Sequence, residues 1–401
     1  MRLSKLKEGG GLFVLAFLLA YSIYRIGGVF YAFPIWPATI ILLLAGGIAF
    51  SVILVSLARF DWAKGTPTSI FLLMVLVCSL LFSVTLQYFF LDELIDNRGV
   101  SSRDFPRLVL AGGVIWMACG CAVQAIKKES SFYFSSALLV FLMISVFSNL
   151  SDGLIISYAA LSEDRSDGLE LNHLVLGESA AFLLILSFSF APQKWRTPFF
   201  LIGIFILFSL GGRTALFTYF LAIGIYLFLK GKLLGFLPRF LPWVLAIAAL
   251  GLVFFSNSFN DEKIARMLLL DGVGADDSVI AREYYFEEGL RGLSSQIVMG
   301  DAGFMIRQFG GIGTYIHNLL SAWQFYGVLP FIIFSVSLLW VGAFIWKNRR
   351  TFSSPIDDFG VIFFIYAGIS ILAGKSIVYF SFWFVLGFWL FRMGARSKKV
   401  S

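Results

Sequence analysis

Histidine and cysteine are nearly missing from this 401-residue chain: two of the first, His173 and His317, and three of the second. Cys78, Cys119 and Cys121 all lie inside apolar runs, where a thiol behaves as a small hydrophobe, so no disulfide framework is expected. With no CxxC spacing and so few imidazoles, neither a protein-built metal site nor another cofactor is expected. Charge is also scarce, at 14% of residues. No GxxxxGK[ST] phosphate loop, GxSxG elbow or HExxH helix is present, so nucleotide hydrolysis and chemistry on those frameworks have no support. Internal repeats, low-complexity tracts and a soluble domain are absent too.

What the chain does have is apolar length. Hydrophobic residues make up 59% and mean hydropathy is +0.87, against about 45–50% apolar in a soluble domain. These values predict an all-α, polytopic membrane helical bundle, a single integral membrane domain over residues 1–401. A spanning helix needs about 20 mostly apolar residues. The sequence offers twelve such runs: 11–32, 38–58, 68–91, 107–126, 131–149, 176–192, 197–211, 214–230, 239–256, 318–346, 359–374 and 376–393. The basic start, Met1 to Lys7, leads into the first run without a small-residue cleavage site, so it reads as an uncleaved span.

Twelve spans put both termini on one side. The segments on that side carry 19 of the 31 basic residues and only 5 of the 24 acidic ones. The positive-inside rule then makes both termini cytoplasmic, and the net charge of +7 becomes a topology signal rather than a nucleic-acid footprint. Three outer loops are long: 92–106, the acidic 149–178, and the largest, 256–316, between spans 9 and 10. That last loop contains an amphipathic stretch from Asp277 to Arg291 and closes on a Gly-rich turn, Phe309 to Gly313, a natural backbone hinge.

The candidate chemistry lies on this outer face. Arg213 follows Gly211 and Gly212 between spans 7 and 8; small residues allow close approach, and a guanidinium grips phosphate in a bidentate fork. The plain alternative is an arginine snorkelling to headgroups. His317, beside Asn318 at the start of span 10, is a candidate proton acceptor or a capped helix-end histidine. Arg266, Arg282, Arg291 and Arg307 lie in the large loop; some must pair with its acids, yet as a group they could hold an anion. Lys375, between spans 11 and 12, shares that face. Arg25 is a weaker lipid-phosphate candidate. A site out here has no access to cytoplasmic nucleotides, so its substrate must arrive already activated. A lipid-linked diphosphate fits, with arginines stabilising the leaving group and a base deprotonating an acceptor hydroxyl.

Four short motifs carry a resemblance. They are Gly211-Gly212-Arg213-Thr214-Ala215-Leu216, Asp277-Ser278-Val279-Ile280-Ala281-Arg282, Gly300-Asp301-Ala302-Gly303, and His317-Asn318-Leu319-Leu320 followed by Gly327. In this order, with twelve spans and a late outer loop, the chain resembles the O-antigen polymerase and ligase superfamily of bacterial envelope glycosyltransferases (Wzy and WaaL type), closest to the polymerases. The resemblance runs from about 205 to 335; the N-terminal half shares topology only. It implies an inner-membrane enzyme that transfers glycan from undecaprenyl diphosphate to an acceptor hydroxyl, without metal or nucleotide. Arg213 and Arg282 would contact the diphosphate, and His317 would be the base or orient the acceptor. The implied partners are lipid-linked glycan donor and acceptor, membrane lipid and, in the polymerase reading, a chain-length regulator protein. The family often has serine where this chain has Gly212, which weakens the first motif. The alternatives are a ligase that moves glycan to lipid A–core and, from another class, a twelve-span transporter. Against the transporter, the long loop follows span 9, and no two-fold repeat is visible.

Overall fold

A computed structural model describes residues 2–31, 36–57, 68–96, 99–124, 131–150, 154–156, 158, 173–236, 238, 240, 242, 277–311 and 316–397. Among these residues the regular structure is helical, with a lone bridge between Ile95 and Ser101. Among the described residues, six helices are long and apolar enough to cross a membrane: Gly9–Phe30, Pro37–Leu54, Thr68–Phe90, Asp104–Val123, Val328–Asn348 and Pro355–Leu372. Shorter apolar helices accompany them, including Leu174–Phe190, Arg213–Leu229 and Phe380–Met393. The protein is an all-α membrane bundle. In a bilayer every backbone polar group must be answered within the protein, and an unbroken helix does this by itself. The ninth apolar run, 239–256, and Arg266 lie outside the described residues.

One expected span differs. The run 318–346 is not one helix: Ser321–Tyr326 ends at Gly327, and Val328–Asn348 follows. Gly327 has φ +83°, and a Cβ there would sit 1.9 Å from the Val298 carbonyl oxygen. Hydropathy does not register such a break.

The helices group into two units. The first comprises residues 1–45, 125–273 and 348–366. It holds α1 (Arg2–Phe30), α5 (Ser131–Ser148), α6 (His173–Phe190), α7 (Arg196–Ser209), α8 (Arg213–Leu229) and the first part of α13 (Pro355–Ala373). Helix α6 is its centre, packed on α1, α5, α7 and α8. Phe182 meets Phe359 and Phe363 edge to face, at 5.7 and 5.3 Å between centroids. Between α7 and α8, Phe200 stacks on Tyr219 at 5.8 Å. Helix α13 starts on Ser354, whose hydroxyl accepts the Asp357 N–H at 3.2 Å, with proline first inside the helix.

The second unit comprises residues 46–124, 274–347 and 367–401. It holds α3 (Thr68–Phe90), α4 (Asp104–Val123), α9 (Asp277–Ser295), α10 (Phe304–Phe309), α11 (Ser321–Tyr326), α12 (Val328–Asn348) and α14 (Phe380–Ser397). Lipid is as apolar as leucine, so helices here associate by close packing rather than by escape from water. Helices α4 and α14 show the device. Cβ atoms at Gly113, Gly120 and Gly387 would lie 2.4 Å from the Trp383 ring, 2.2 Å from the Phe384 carbonyl oxygen and 2.0 Å from the Met117 carbonyl oxygen. Matching of 113 with 383 and 117 with 387 makes the two helices parallel. The Cys121 thiol donates to the Gly387 carbonyl at 3.2 Å.

Candidate functional site

Helix α9 presents one face inward. Arg282, Gly289 and Leu293 are seven and then four residues apart, so they share that face at 3.6 residues per turn. Glycine at 289 leaves room for Ile316, whose side chain would be 2.3 Å from a Cβ there; Gly292 does the same for Phe304. Leu293, Met305 and Ile316 form a buried cluster, with Phe304, Phe309, Leu320 and Trp323 packed on it. This packing fixes Ile316, and therefore the next residue, His317, against the helix that carries Arg282.

A second strut comes from α11. The Gln324 side-chain oxygen accepts the Ile316 N–H at 3.0 Å, and its backbone oxygen accepts the Asp301 N–H at 2.7 Å. The Asn318 side-chain oxygen accepts the Leu320 N–H at 2.8 Å, an Asx turn that opens the short helix. Ser321 Oγ donates to the Asn318 carbonyl at 2.7 Å and accepts the Ile377 N–H at 2.9 Å, tying this turn to the segment after α13. In that segment a Cβ on Gly374 would lie 3.1 Å from Arg282 Nη1 and 3.9 Å from the His317 carbonyl oxygen. Lys375 follows, 2% exposed, with Nζ 4.9 Å from the Tyr379 ring centroid.

The second unit thus gathers Arg282, His317, Asn318 and the Gly374-Lys375 turn from three separate stretches of chain. Burial, and then the like charge of Arg282, push the half-buried His317 imidazole down to about 4. At neutral pH it is uncharged, able to accept a proton or a hydrogen bond.

Two of the expected arginines are engaged elsewhere. Arg291 lies nine residues from Arg282 on the opposite face of α9; it is 72% exposed and donates to Glu288 at 2.5 Å. Arg307 pairs with Asp301, whose other oxygen accepts the Gly303 N–H at 2.9 Å in the turn that leads into α10. The stretch Gly300 to Gly303 is therefore scaffold: Gly300, at φ +70°, passes against the backbone of α11 and Gly327. Gln87 of α3 holds the same turn, donating to the Met299 carbonyl at 2.7 Å. The Gly-rich closing turn is described only at its start, where left-handed Gly310 caps α10; residues 312–315 lie outside the described residues.

The first unit carries Arg213 as the first residue of α8, after Gly211 at φ +65°. A cation at a helix N-terminus opposes the helix dipole, whereas an anion beside it is favoured by both. The turn before it is met by Ile156 and Tyr158: the Ile156 N–H donates to the Ser209 carbonyl at 2.9 Å, and the Tyr158 hydroxyl to the Leu210 carbonyl at 3.0 Å. Arg25 of α1 lies 6.0 Å from the Tyr21 ring centroid. Glu178 of α6 is 1% exposed, next to Gly177, which meets Ala215.

Ser321, Gln324 and Asp358 were not singled out by sequence reasoning. Ser321 and Gln324 follow His317 as polar residues spaced along an apolar run, and that spacing was the available signal. Among the described residues no three His, Cys, Asp or Glu side chains group as metal ligands. No family model matches the chain, and a search of curated proteins returns no match.

Proposed function

We propose that the protein is an O-antigen polymerase: a bacterial inner-membrane glycosyltransferase, with twelve spans and both termini cytoplasmic, that joins lipid-linked repeat units at the periplasmic face. The observation that carries this reading is the grouping of an uncharged His317 with the Arg282 guanidinium and the turn bearing buried Lys375. A base and cations beside one another suit transfer from a diphosphate leaving group. The acceptor sugar hydroxyl gives its proton to His317 as its oxygen bonds to the anomeric carbon of the donor glycan. The bond from that carbon to the diphosphate breaks, and undecaprenyl diphosphate departs with the electron pair. Arg282 stabilises the charge that develops on the leaving group. Arg213 is assigned to donor phosphate through its motif and its place at a helix N-terminus. Arg291 and Arg307, each on a carboxylate, are the weaker phosphate ligands of the set.

Complementation tests this. A strain lacking its polymerase, but making this protein's own repeat unit, should regain a polysaccharide ladder. His317→Ala and Arg282→Ala should leave protein in the membrane and chains one unit long. A full ladder from His317→Ala sinks the base assignment. Glycan attached to lipid A–core in a ligase-deficient strain, without a ladder, makes the protein the ligase. Failure of both returns the transporter reading.

A further inference from the structure

Arg213 rides on a helical hairpin whose legs are short for a bilayer. Helix α7 has 14 residues and α8 has 17. These are roughly 21 and 26 Å long, against a hydrocarbon core of about 30 Å. The base of the hairpin is marked by Arg196, the first residue of α7, and Lys230, just past the end of α8. Both reach Asp358, at 3.3 and 3.4 Å, and all three side chains are about nine-tenths buried. Arg196 also donates to the carbonyls of Ser189 and Ala191, and the Lys230 ammonium to that of Phe352. Asp358 belongs to α13, so it grips both legs from outside the hairpin.

The apex agrees with the leg lengths. A helix that ends in water leaves its last carbonyls to solvent. Here those of Ser209 and Leu210 take protein donors, Ile156 and Tyr158, and both residues are 0% exposed. Backbone at membrane depth needs such partners.

We propose that Asp358 is a positioning residue: by holding Arg196 and Lys230 at the base, it sets how far the hairpin reaches and keeps Arg213 below the membrane surface, where the phosphate it meets is one carried on a lipid. The reading of Arg213 as a donor-phosphate ligand underlies the last clause, and the test separates the two.

The full-length protein is prepared with its three natural cysteines replaced, reconstituted in lipid vesicles, and given one thiol at Thr214→Cys. A second version carries it at Ile95→Cys, a position 66% exposed in an outer loop. A charged thiol reagent should label position 214 at least about tenfold more slowly than position 95, because charge is penalised at membrane depth. Asp358→Asn should speed labelling at 214 several-fold and raise the donor KM more than it lowers kcat; Asp358→Glu should restore both. Should Asp358→Asn fail to fold, Asp358→Asn with Lys230→Met keeps the native charge of the cluster while releasing the α8 leg. Unchanged labelling at 214 in that folded double variant overturns the proposal, as does fast labelling at 214 in the native background. If labelling shifts as expected but the native protein transfers no glycan, the positioning stands and the glycosyltransferase reading falls.

Discussion

His317 is held neutral by two forces that act in the same direction. Burial removes the water that would solvate an imidazolium, and Arg282 places a like charge beside it. The folded-state value, about 4, lies below the ordinary 6.5. The unfolded chain therefore takes up a proton first as pH falls. Stability from this group is complete above 6.5 and is lost between 6.5 and 4. From pH 7 to pH 5 the loss amounts to about 2 kcal/mol. His317→Gln should remove that component, so its unfolding temperature in detergent should fall less over this interval than the native protein's; equal falls would contradict the assignment. Replacing Arg282 with glutamine removes the like charge and should raise the pH at which the folded protein protonates His317, so the fall in unfolding temperature over this interval should narrow. At this scale the short motifs singled out two residues that the fold brings together, His317 and Arg282, and were poor about the partners of the others. That Arg291 and Arg307 sit on Glu288 and Asp301 depends on helix phase and on a left-handed turn at Gly300, which composition does not reveal.

Glycine makes a sharp contrast between neighbours in α4. A methyl group on Gly112 meets nothing within 4 Å, whereas one on Gly113 meets the Trp383 ring, and one on the facing Gly387 meets backbone at 2.0 Å. Backbone cannot rotate away as a side chain can. Gly387→Ala should therefore destabilise by about 1–3 kcal/mol or more through overpacking, while Gly112→Ala should be neutral or stabilising by up to about 1 kcal/mol through helix propensity. Thermal unfolding of the two variants in one detergent checks this; similar behaviour would mean that α4 and α14 do not pack as closely as described. Most elements were legible from the chain, because a 20-residue apolar run has few alternatives to a helix in lipid. The amphipathic spacing also foretold α9, Asp277–Ser295. The break at Gly327 was not legible, since the reason for it is the Val298 backbone, remote in sequence. Run 197–211 is the shortest of the twelve; in the fold it is one leg of the Arg213 hairpin, pinned at Asp358.

Across the whole molecule, the parallel pairing of α4 and α14 constrains the chain path. Two parallel spanning helices require an odd number of crossings between them. A twelve-span path provides seven, an odd number, so the pairing is consistent with that path. Counted along that path, the charges are strongly asymmetric: 19 of 31 basic residues fall on one side, where the positive-inside rule places the cytoplasm. With three spans before α4, the pairing predicts that the two termini share one side; the charge distribution alone makes that side cytoplasmic and predicts that the 277–311 region faces outward. A fluorescent protein fused after Ser401 should therefore glow, because it folds only in the cytoplasm. Alkaline phosphatase, active only outside, should be silent after Lys232 and active after Gly300. Active phosphatase at Ser401 with a silent fusion at Gly300 would invert the protein. Arg282 and His317 would then face the cytoplasm, and with them would go the argument that the substrate must arrive already joined to a lipid diphosphate.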